Sequence, residues 1–572
     1  MEINQEYERW LVNAADDPDL IPELKAISGK SDEIADRFAV ELEFGTAGLR
    51  GVIGAGTNRM NLYIVRKATQ GLANYILRTD GPHRVAISYD SRIKSELFSH
   101  AAAEVLAANG ITACIYPHLM PVPALSFATR YLHCDAGIMV TASHNPAKYN
   151  GYKAYGPDGC QMTSQAADAV YAEMQATDTF AGVKVIRFEE GLRTGLIQWI
   201  GEEVEQELYR NIEAQSVRPE VFARAGLKLV YSPLNGSGNL PVRHVLADMG
   251  IQNITVVPEQ EMPDGNFPTC PYPNPEIREA LAKGLELSEK ISADLMLATD
   301  PDADRVGIAV RLADGSYKLL TGNEVGVLLL DYLCTARLEK GTLPADPVMV
   351  KSIVSTVMAD VVARYYGVQP IHVLTGFKYI GEQIHLLEEK NQQNRYLLGF
   401  EESYGYLCGS YVRDKDAIVA SMLIVEMASW YVSQGSSLYR RLTELYAQFG
   451  WYLNRVESFE FDGLSGMGQM KKIMSELRSQ PPKQIGGLTV QVITDLTDGS
   501  VTNLLTGEHT RIELPSANVL IWKLEQDAQV IVRPSGTEPK IKVYYSTKGC
   551  SAQESAATQK LLAADMQQTM KQ

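Results

Sequence analysis

The stretch Thr141-Ala142-Ser143-His144-Asn145-Pro146 sets a hydroxyl, an imidazole and a carboxamide directly after the apolar run Ala136 to Val140. That run reads as a buried strand, and ligands of open α/β sheets bind beyond the carboxyl ends of strands. A serine in that place, ahead of a helix-incompatible proline, reads as a presented nucleophile. An ordinary turn rich in Ser and Asn is the competing reading of this loop alone.

Three further loops carry chemistry. Asp300-Pro301-Asp302-Ala303-Asp304-Arg305 follows the apolar run Ala293 to Ala298. Its alternating carboxylates can converge on one hard cation. An EF-hand is excluded, because its sixth position, which requires Gly, is Arg305, and its twelfth, which requires Glu, is Arg311. Three ligands suit Mg²⁺, which keeps open positions for a phosphate oxygen. In Gly399-Phe400-Glu401-Glu402-Ser403-Tyr404-Gly405, Glu401 and Ser403 are two residues apart, so an extended loop turns both to one side, where they could bind sugar hydroxyls. Arg533-Pro534-Ser535-Gly536-Thr537-Glu538-Pro539 offers a guanidinium, two hydroxyls and a bare backbone, the makings of a phosphate cradle. Solvated surface glutamates and a Pro/Gly hairpin turn are the plain alternatives for these last two. Gly54-Ala55-Gly56 and Gly236-Ser237-Gly238 lack the third glycine of a dinucleotide fingerprint, and Gly29-Lys30-Ser31 lacks the upstream glycine of a P-loop.

The elements that must hold these loops follow an α/β pattern. Strands are expected at Arg84 to Tyr89, Ala136 to Val140, Leu227 to Tyr231, Ala293 to Ala298 and Tyr396 to Phe400. Helices are expected at Asn61 to Arg78, Ser95 to Asn109 and Ala417 to Gln434, the last after the acidic start Asp414-Lys415-Asp416. Asn150-Gly151 and Gly156-Pro157-Asp158-Gly159 signal turns, with a short strand between them that carries Lys153 back towards the serine loop. Beyond about residue 455 strands dominate, and a terminal helix begins near Ala552, the texture of a separate α+β domain.

The whole chain bounds the function. With 572 residues it is too long for one core, and about three to five domains are expected. The net charge of -16 argues against nucleic acid or a membrane surface as partner, though not against a small anion in a locally basic cleft. Seven cysteines without metal spacing look like reduced thiols. The start Met1-Glu2-Ile3-Asn4-Gln5-Glu6 has no basic or apolar leader, no apolar run approaches the ~18 residues of a membrane helix, and a cytoplasmic location is expected.

Taken in order, from Gly45-Thr46-Ala47-Gly48-Leu49-Arg50-Gly51 to the Arg533 loop, these motifs resemble the α-D-phosphohexomutase family over nearly the whole chain. The resemblance implies an α/β fold of four domains around a central cleft: three α/β domains with mixed sheets and a C-terminal α+β domain. The expected ranges are 1–205 (phosphoserine loop), 206–322 (metal loop), 323–455 (sugar loop) and 456–572 (phosphate loop). It implies a phosphoserine at Ser143, with Mg²⁺ held by that group and Asp300, Asp302 and Asp304. Arg50, His144 and Lys153 would stand at the reacting centre. Arg305, Lys378, Glu401, Ser403, Arg533, Ser535, Gly536 and Thr537 would contact substrate. A phosphoserine adds about -1.5 to -2 charges, so carboxylates beside it require a divalent cation. The expected reaction interconverts glucose 1-phosphate and glucose 6-phosphate through glucose 1,6-bisphosphate, which would also act as activator. The Glu401-Glu402-Ser403 form and Lys378 resemble the glucose branch. Phe400, Tyr404 and Thr375-Gly376-Phe377-Lys378 leave pentose and mannose phosphates open. A bisphosphate synthase, a Mg²⁺-dependent phosphatase and a catalytically silent sugar-phosphate binder are the remaining alternatives. Sugar phosphates are the expected partners, and a monomer or weak dimer the expected state.

Overall fold

The computed structural model describes residues 3–45, 48–224, 226–251, 253–461, 466–535 and 539–571. The chain packs as two units: Met1–Gly322 with Ile380–Gly435, and Asn323–Tyr379 with Ser436–Gln572. Strands β1 (Leu49–Val52), β2 (Arg84–Tyr89), β3 (Thr112–Ile115), β4 (Ala136–Val140), β5 (Tyr149–Tyr155) and β6 (Ile197–Trp199) form one sheet of the first unit, ordered β1-β5-β4-β2-β3-β6. Strands β4, β2, β3 and β6 are parallel, and β5 runs antiparallel to both β4 and β1. All of β4 is buried, which is why its sequence is continuously apolar rather than alternating. Helices Leu62–Ile76 and Ser95–Ala108 are close to their expected spans. The first starts where Asn61 caps it, its side chain accepting from the backbone N–H of Tyr63 and Ile64 at 3.1 Å each.

One turn signal is corrected. Asn150 and Gly151 lie inside β5, not in a turn before it. Gly151 is needed there for space: a Cβ would come 2.5 Å from the Thr141 carbonyl oxygen and 2.7 Å from that of Leu49. Lys153 is nevertheless on the expected strand, opposite Met139 of β4.

The second sheet of this unit contains β7 (Leu229–Ser232), β8 (Ile254–Val256), β9 (Leu295–Thr299), β10 (Val306–Arg311) and β11 (Tyr317–Leu320) in the order β11-β10-β9-β7-β8. Strands β8, β7 and β9 are parallel, and β9, β10 and β11 antiparallel. Strands β12 (Val348–Ser352) and β13 (Gln369–Val373) pair in parallel within the second unit. In the first unit, β14 (Tyr396–Glu401) and β15 (Gly405–Leu407) form a hairpin. The helix Ala417–Ser433 then runs buried from Ala417 to Ser429. Among the described residues, no single helix is long and apolar enough to cross a membrane.

The remaining strands of the second unit pair antiparallel: β16 (Trp451–Glu460), β17 (Gln484–Ile485), β18 (Leu488–Asp495), β19 (Ser500–Asn503), β20 (His509–Arg511), β21 (Leu520–Leu524), β22 (Gln529–Pro534) and β23 (Lys540–Gly549). Trp522, Val530, Val543 and Leu562 share its core, the last from the terminal helix Ala552–Met570. None of the seven cysteines is in a disulfide; six are buried and Cys550 is exposed.

Candidate active site

Ser143 sits one turn beyond β4 with φ +51, a left-handed conformation that a residue with a Cβ rarely adopts. Two groups hold it there. Its backbone N–H donates to Thr141 Oγ1 at 2.8 Å. The guanidinium of Arg92, 3% exposed, donates to the carbonyls of Ser143, Asn145, Pro146 and Tyr149. Asp90 neutralises that guanidinium at 3.3 Å. The seryl Oγ donates to Asp300 Oδ2 at 3.0 Å and lies 3.2 Å from His144 Nδ1. Burial, reinforced by the charges of Arg305, Arg50, Arg92 and Lys153, pushes the His144 imidazole well below its ordinary range, so it is neutral at pH 7.

The second loop follows β9, as its sequence indicates. Asp300, Asp302 and Asp304 are buried, and one carboxylate oxygen from each lies within 4.8 Å of the others. The turn closes on itself: Asp300 Oδ1 accepts from the N–H of Asp304 at 3.1 Å and of Arg305 at 3.0 Å. Ala303 at its apex has φ +47. Two helix N-termini, whose first N–H groups lack partners in their own helices, grip its carbonyls. Val122 N–H donates to Asp302 O at 3.0 Å, and Ala417 N–H to Ala303 O at 3.2 Å. Gly236 fits the same loop: a Cβ there would lie 2.5 Å from Pro301 Cα.

Cations surround these acids. Lys153 Nζ lies 3.0 Å from Asp302 Oδ2 and 3.8 Å from Asp304 Oδ2. Lys415 Nζ lies 3.1 Å from Asp304 Oδ2. Arg305 reaches 3.6 Å from Asp304 Oδ1, while its other end pairs with Glu276 at 2.6 Å. Burial pushes the Asp300 carboxyl well above the usual carboxylate range, and Asp302 and Asp304 push it further. Burial acts on Asp302 in the same sense, but Lys153, the hydrogen bond with Asp300 and Lys415 outweigh it and hold that carboxyl at about 2. Asp302 Oδ1 and Asp304 Oδ1 are buried without a hydrogen-bond partner. Orphaned carboxylate oxygens converging in this way fit a hard divalent cation.

Arg50, exposed on β1, donates to Asn145 Oδ1 at 3.1 Å, so it stands over the serine loop. Glu401, 5% exposed, ends β14, and Tyr404 turns the hairpin with φ +67. The Tyr404 carbonyl accepts from Val306 N–H at 3.1 Å, which ties this hairpin to the Asp300 loop. Glu401 also bears on Lys415, whose ammonium is favoured by Asp304, Asp414 and Glu401 against the opposing effect of burial. Ser403 follows in the same turn, half-buried.

The structure thus gathers Arg50, Ser143, His144, Lys153, Asp300, Asp302, Asp304, Arg305, Glu401 and Ser403 within the first unit. Lys378, Arg533 and Ser535 belong to the second. There Lys378 lies in the first turn of helix Phe377–Glu389, and its Nζ is 5.0 Å from the Tyr379 ring centroid. Arg533 faces Lys542 across β22 and β23, and Ser535 N–H donates to Lys540 O at 2.7 Å. Gly536 and Thr537, like Thr46 and Ala47, lie outside the described residues.

Models of phosphoglucomutase/phosphomannomutase α/β/α domains I, II and III match residues 41–181, 207–313 and 321–449, and the C-terminal domain model matches 518–563. A phosphoglucomutase of Staphylococcus saprophyticus is 36% identical over 510 residues, covering 89% of this chain and 91% of the relative. The chain belongs to the phosphoglucomutase/phosphomannomutase family. A Staphylococcus aureus phosphoglucomutase is likewise 36% identical, over 90% of this chain and 91% of its own. The fold is shared with a family protein of Burkholderia thailandensis (TM-score 0.66, 17% identity, 93% of this chain and 98% of that one). It is shared too with the Paramecium phosphoprotein parafusin, a phosphoglucomutase (TM-score 0.68, 16% identity, 93% and 95%). Family membership bears out the expected architecture of three α/β domains with mixed sheets and a C-terminal domain built on an antiparallel sheet.

Three site residues escape the sequence reading. Arg92 lies 51 positions from the serine whose carbonyl it holds. Glu276 lies 29 positions from Arg305. Lys415 does carry a signal, a lysine between two aspartates before a largely apolar helix, but in the sequence it reads only as helix capping.

Proposed function

We propose that this protein interconverts glucose 1-phosphate and glucose 6-phosphate, with phosphorylated Ser143 as the phosphoryl carrier. One observation carries the reading: the Ser143 hydroxyl is held, in a strained conformation, 3.0 Å from a buried aspartate of a three-carboxylate cluster ringed by lysines and arginine. The 36% identity to phosphoglucomutases supports glucose as the sugar.

In the proposed cycle the phosphoryl group on Ser143 passes to a sugar hydroxyl. The phosphorus–seryl oxygen bond breaks, a bond from phosphorus to the hydroxyl oxygen forms, and the hydroxyl proton ends on Ser143 Oγ. His144, neutral and 3.2 Å from that oxygen, can relay the proton. Lys153 and Arg50 supply positive charge at the reacting centre, where phosphoryl transfer depends on positioning and neutralisation. The resulting glucose 1,6-bisphosphate reorients and returns its other phosphate to Ser143, and added bisphosphate would prime unphosphorylated enzyme. Asp300, Asp302 and Asp304 would hold Mg²⁺ together with a seryl phosphate oxygen. When bound, that ion stabilises charge on the transferring group. Arg305, Glu401 and Ser403 would bind the sugar. Lys378, Arg533, Ser535, Gly536 and Thr537 would bind the sugar and its non-reacting phosphate, a role suited to guanidinium, hydroxyl and bare backbone. We take the enzyme to be cytoplasmic and a monomer or weak dimer.

The test is turnover of glucose 1-phosphate with Mg²⁺ and catalytic glucose 1,6-bisphosphate, beside mannose and ribose 1-phosphates. Fast, primed glucose turnover that Ser143→Ala lowers by on the order of 10⁴-fold or more supports the reading. Full activity of that variant overturns the mechanism, and faster ribose or mannose turnover overturns the choice of sugar.

A further inference from the structure

Lys415 reaches Asp304 from the short turn Arg413-Asp414-Lys415, and this turn has no secondary structure of its own to hold it. Its support comes from elsewhere. The Arg413 side chain is 0% exposed, and its guanidinium donates to Glu388 Oε2 at 2.6 Å. Glu388, near the end of helix Phe377–Glu389, also accepts from Arg130 at 2.9 Å on its other oxygen. Arg130 in turn donates to Asp158 O at 2.9 Å, in the turn that follows β5. The Arg413 backbone N–H donates to Ser126 Oγ at 2.9 Å, one helical turn before Arg130. Asp414 is then fixed by Tyr155 Oη at 2.8 Å, and Tyr155 lies on the same strand and face as Lys153.

We propose that Glu388 is a positioning residue for the reaction. By joining Arg130 to Arg413 it sets the turn that carries Lys415, and so keeps that ammonium over Asp304. The argument is geometric. One carboxylate is shared between a guanidinium of helix Val122–Tyr131 and a fully buried guanidinium two residues from Lys415. Both lysines that face the aspartate cluster, 153 and 415, are thereby referred to one frame: the first directly through β5, the second through Tyr155, Ser126 and the Glu388 bridge. The bridge does not touch the cluster, and the route proposed for its effect on turnover runs through Lys415. A residue that orients a group at an ion site, without itself contacting the ion, typically changes activity by ~10–100-fold when removed.

The inference rests on the proposed role of the aspartate cluster in phosphoryl transfer, and a double-mutant cycle separates the two. Glu388→Gln leaves a buried guanidinium without its counter-charge and will lower stability in any case, so turnover is measured well below the unfolding midpoint. Expected are a fall in kcat of about tenfold with KM little changed, and no further fall when Glu388→Gln is added to Lys415→Met. Arg130→Gln, which spares the Glu388–Arg413 pair, should give a smaller loss of the same kind and guards against misfolding of the first variant. Equal losses in the presence and absence of Lys415 overturn the proposal. If Lys415→Met alone retains full kcat, the functional reading of that lysine fails. The crystal structure of Glu388→Gln then decides the positioning claim: a Lys415–Asp304 contact still near 3.1 Å overturns it.

Discussion

At the scale of residues, the site departs from what stability alone would select. Ser143, Ala303 and Tyr404, one in each of three site loops, all have positive φ without being glycine. Each such conformation costs on the order of 1 kcal/mol and persists only where the surroundings dictate it. The aspartate cluster adds electrostatic strain, because three buried carboxylates repel one another. This frustration predicts a trade of stability against function. Asp300→Asn keeps the Oδ1 that accepts from Asp304 and Arg305 and removes a carboxyl that burial and its two acidic neighbours make costly to ionise. In chelator, the variant should be more stable than the parent by about 1–2 kcal/mol, while Mg²⁺-dependent turnover collapses. Denaturant titration and activity check the two halves, and a destabilised variant would mean that the cluster is not strained. Asp302→Asn should behave in the opposite way, because Lys153 would lose a carboxylate already held at about 2. That variant should lose stability with or without metal. The residues that supply this chemistry were legible because each follows an apolar strand within a few positions. Those that hold them in place, Arg92 and Glu276, were not, since a contact across 51 or 29 positions leaves no local pattern to read.

At the scale of elements, the sheet edges and two helix N-termini carry the positioning. The fully buried strand β4 matched its sequence reading residue for residue, because hydrophobic continuity bounded by polar loops is a local signal. Asn150-Gly151 misled because a dipeptide that favours a turn was selected here for space between two backbones, and only the folded sheet reveals that. The helix Val122–Tyr131, whose first N–H grips Asp302 O, is entered through a loop that carries His118. His118 Nε2 lies 3.2 Å from Glu205 Oε1 on helix Glu202–Glu213. The hydrogen bond to Glu205 raises the histidine above its ordinary 6.5 against a smaller opposing effect of burial. The folded protein therefore holds this proton more tightly than the unfolded chain. The stabilisation is fully present below about pH 6.5 and is lost as pH rises through the folded value. His118 is half-exposed, so the effect is small. NMR titration should place the His118 midpoint above 6.5, and Glu205→Gln should bring it back. A midpoint that does not move on that substitution would show the pair to be uncoupled.

At the scale of the whole molecule, the first unit is assembled from two stretches of chain, Met1–Gly322 and Ile380–Gly435, with residues of the second unit between them. Such a unit depends on ties that join its two stretches, and Glu426 makes a fully buried one. It is 0% exposed, midway along the apolar helix Ala417–Ser433. Its carboxylate accepts from Arg218 N–H at 2.9 Å, from Val217 N–H at 3.2 Å and from the Ser216 hydroxyl. Arg218 then folds over the Trp430 ring at 4.0 Å, one turn further along the helix. A carboxylate in an otherwise apolar helix looks like an error in the sequence, and it is explained by the donors that a distant segment delivers to it, among them the N–H groups of Val217 and Arg218 and the Ser216 hydroxyl. Replacing it with alanine leaves two backbone N–H groups buried without acceptors, at a cost of about 1–3 kcal/mol each. Glu426→Gln retains one acceptor oxygen and should cost less. Hydrogen exchange gives the local readout: in Glu426→Ala the amides of Val217 and Arg218 should lose protection together with those of helix Ala417–Ser433. Amides of β18, β21 and β22 in the second unit should keep theirs. Uniform loss of protection across both units would show that Glu426 supports the fold as a whole rather than the joining of these two stretches.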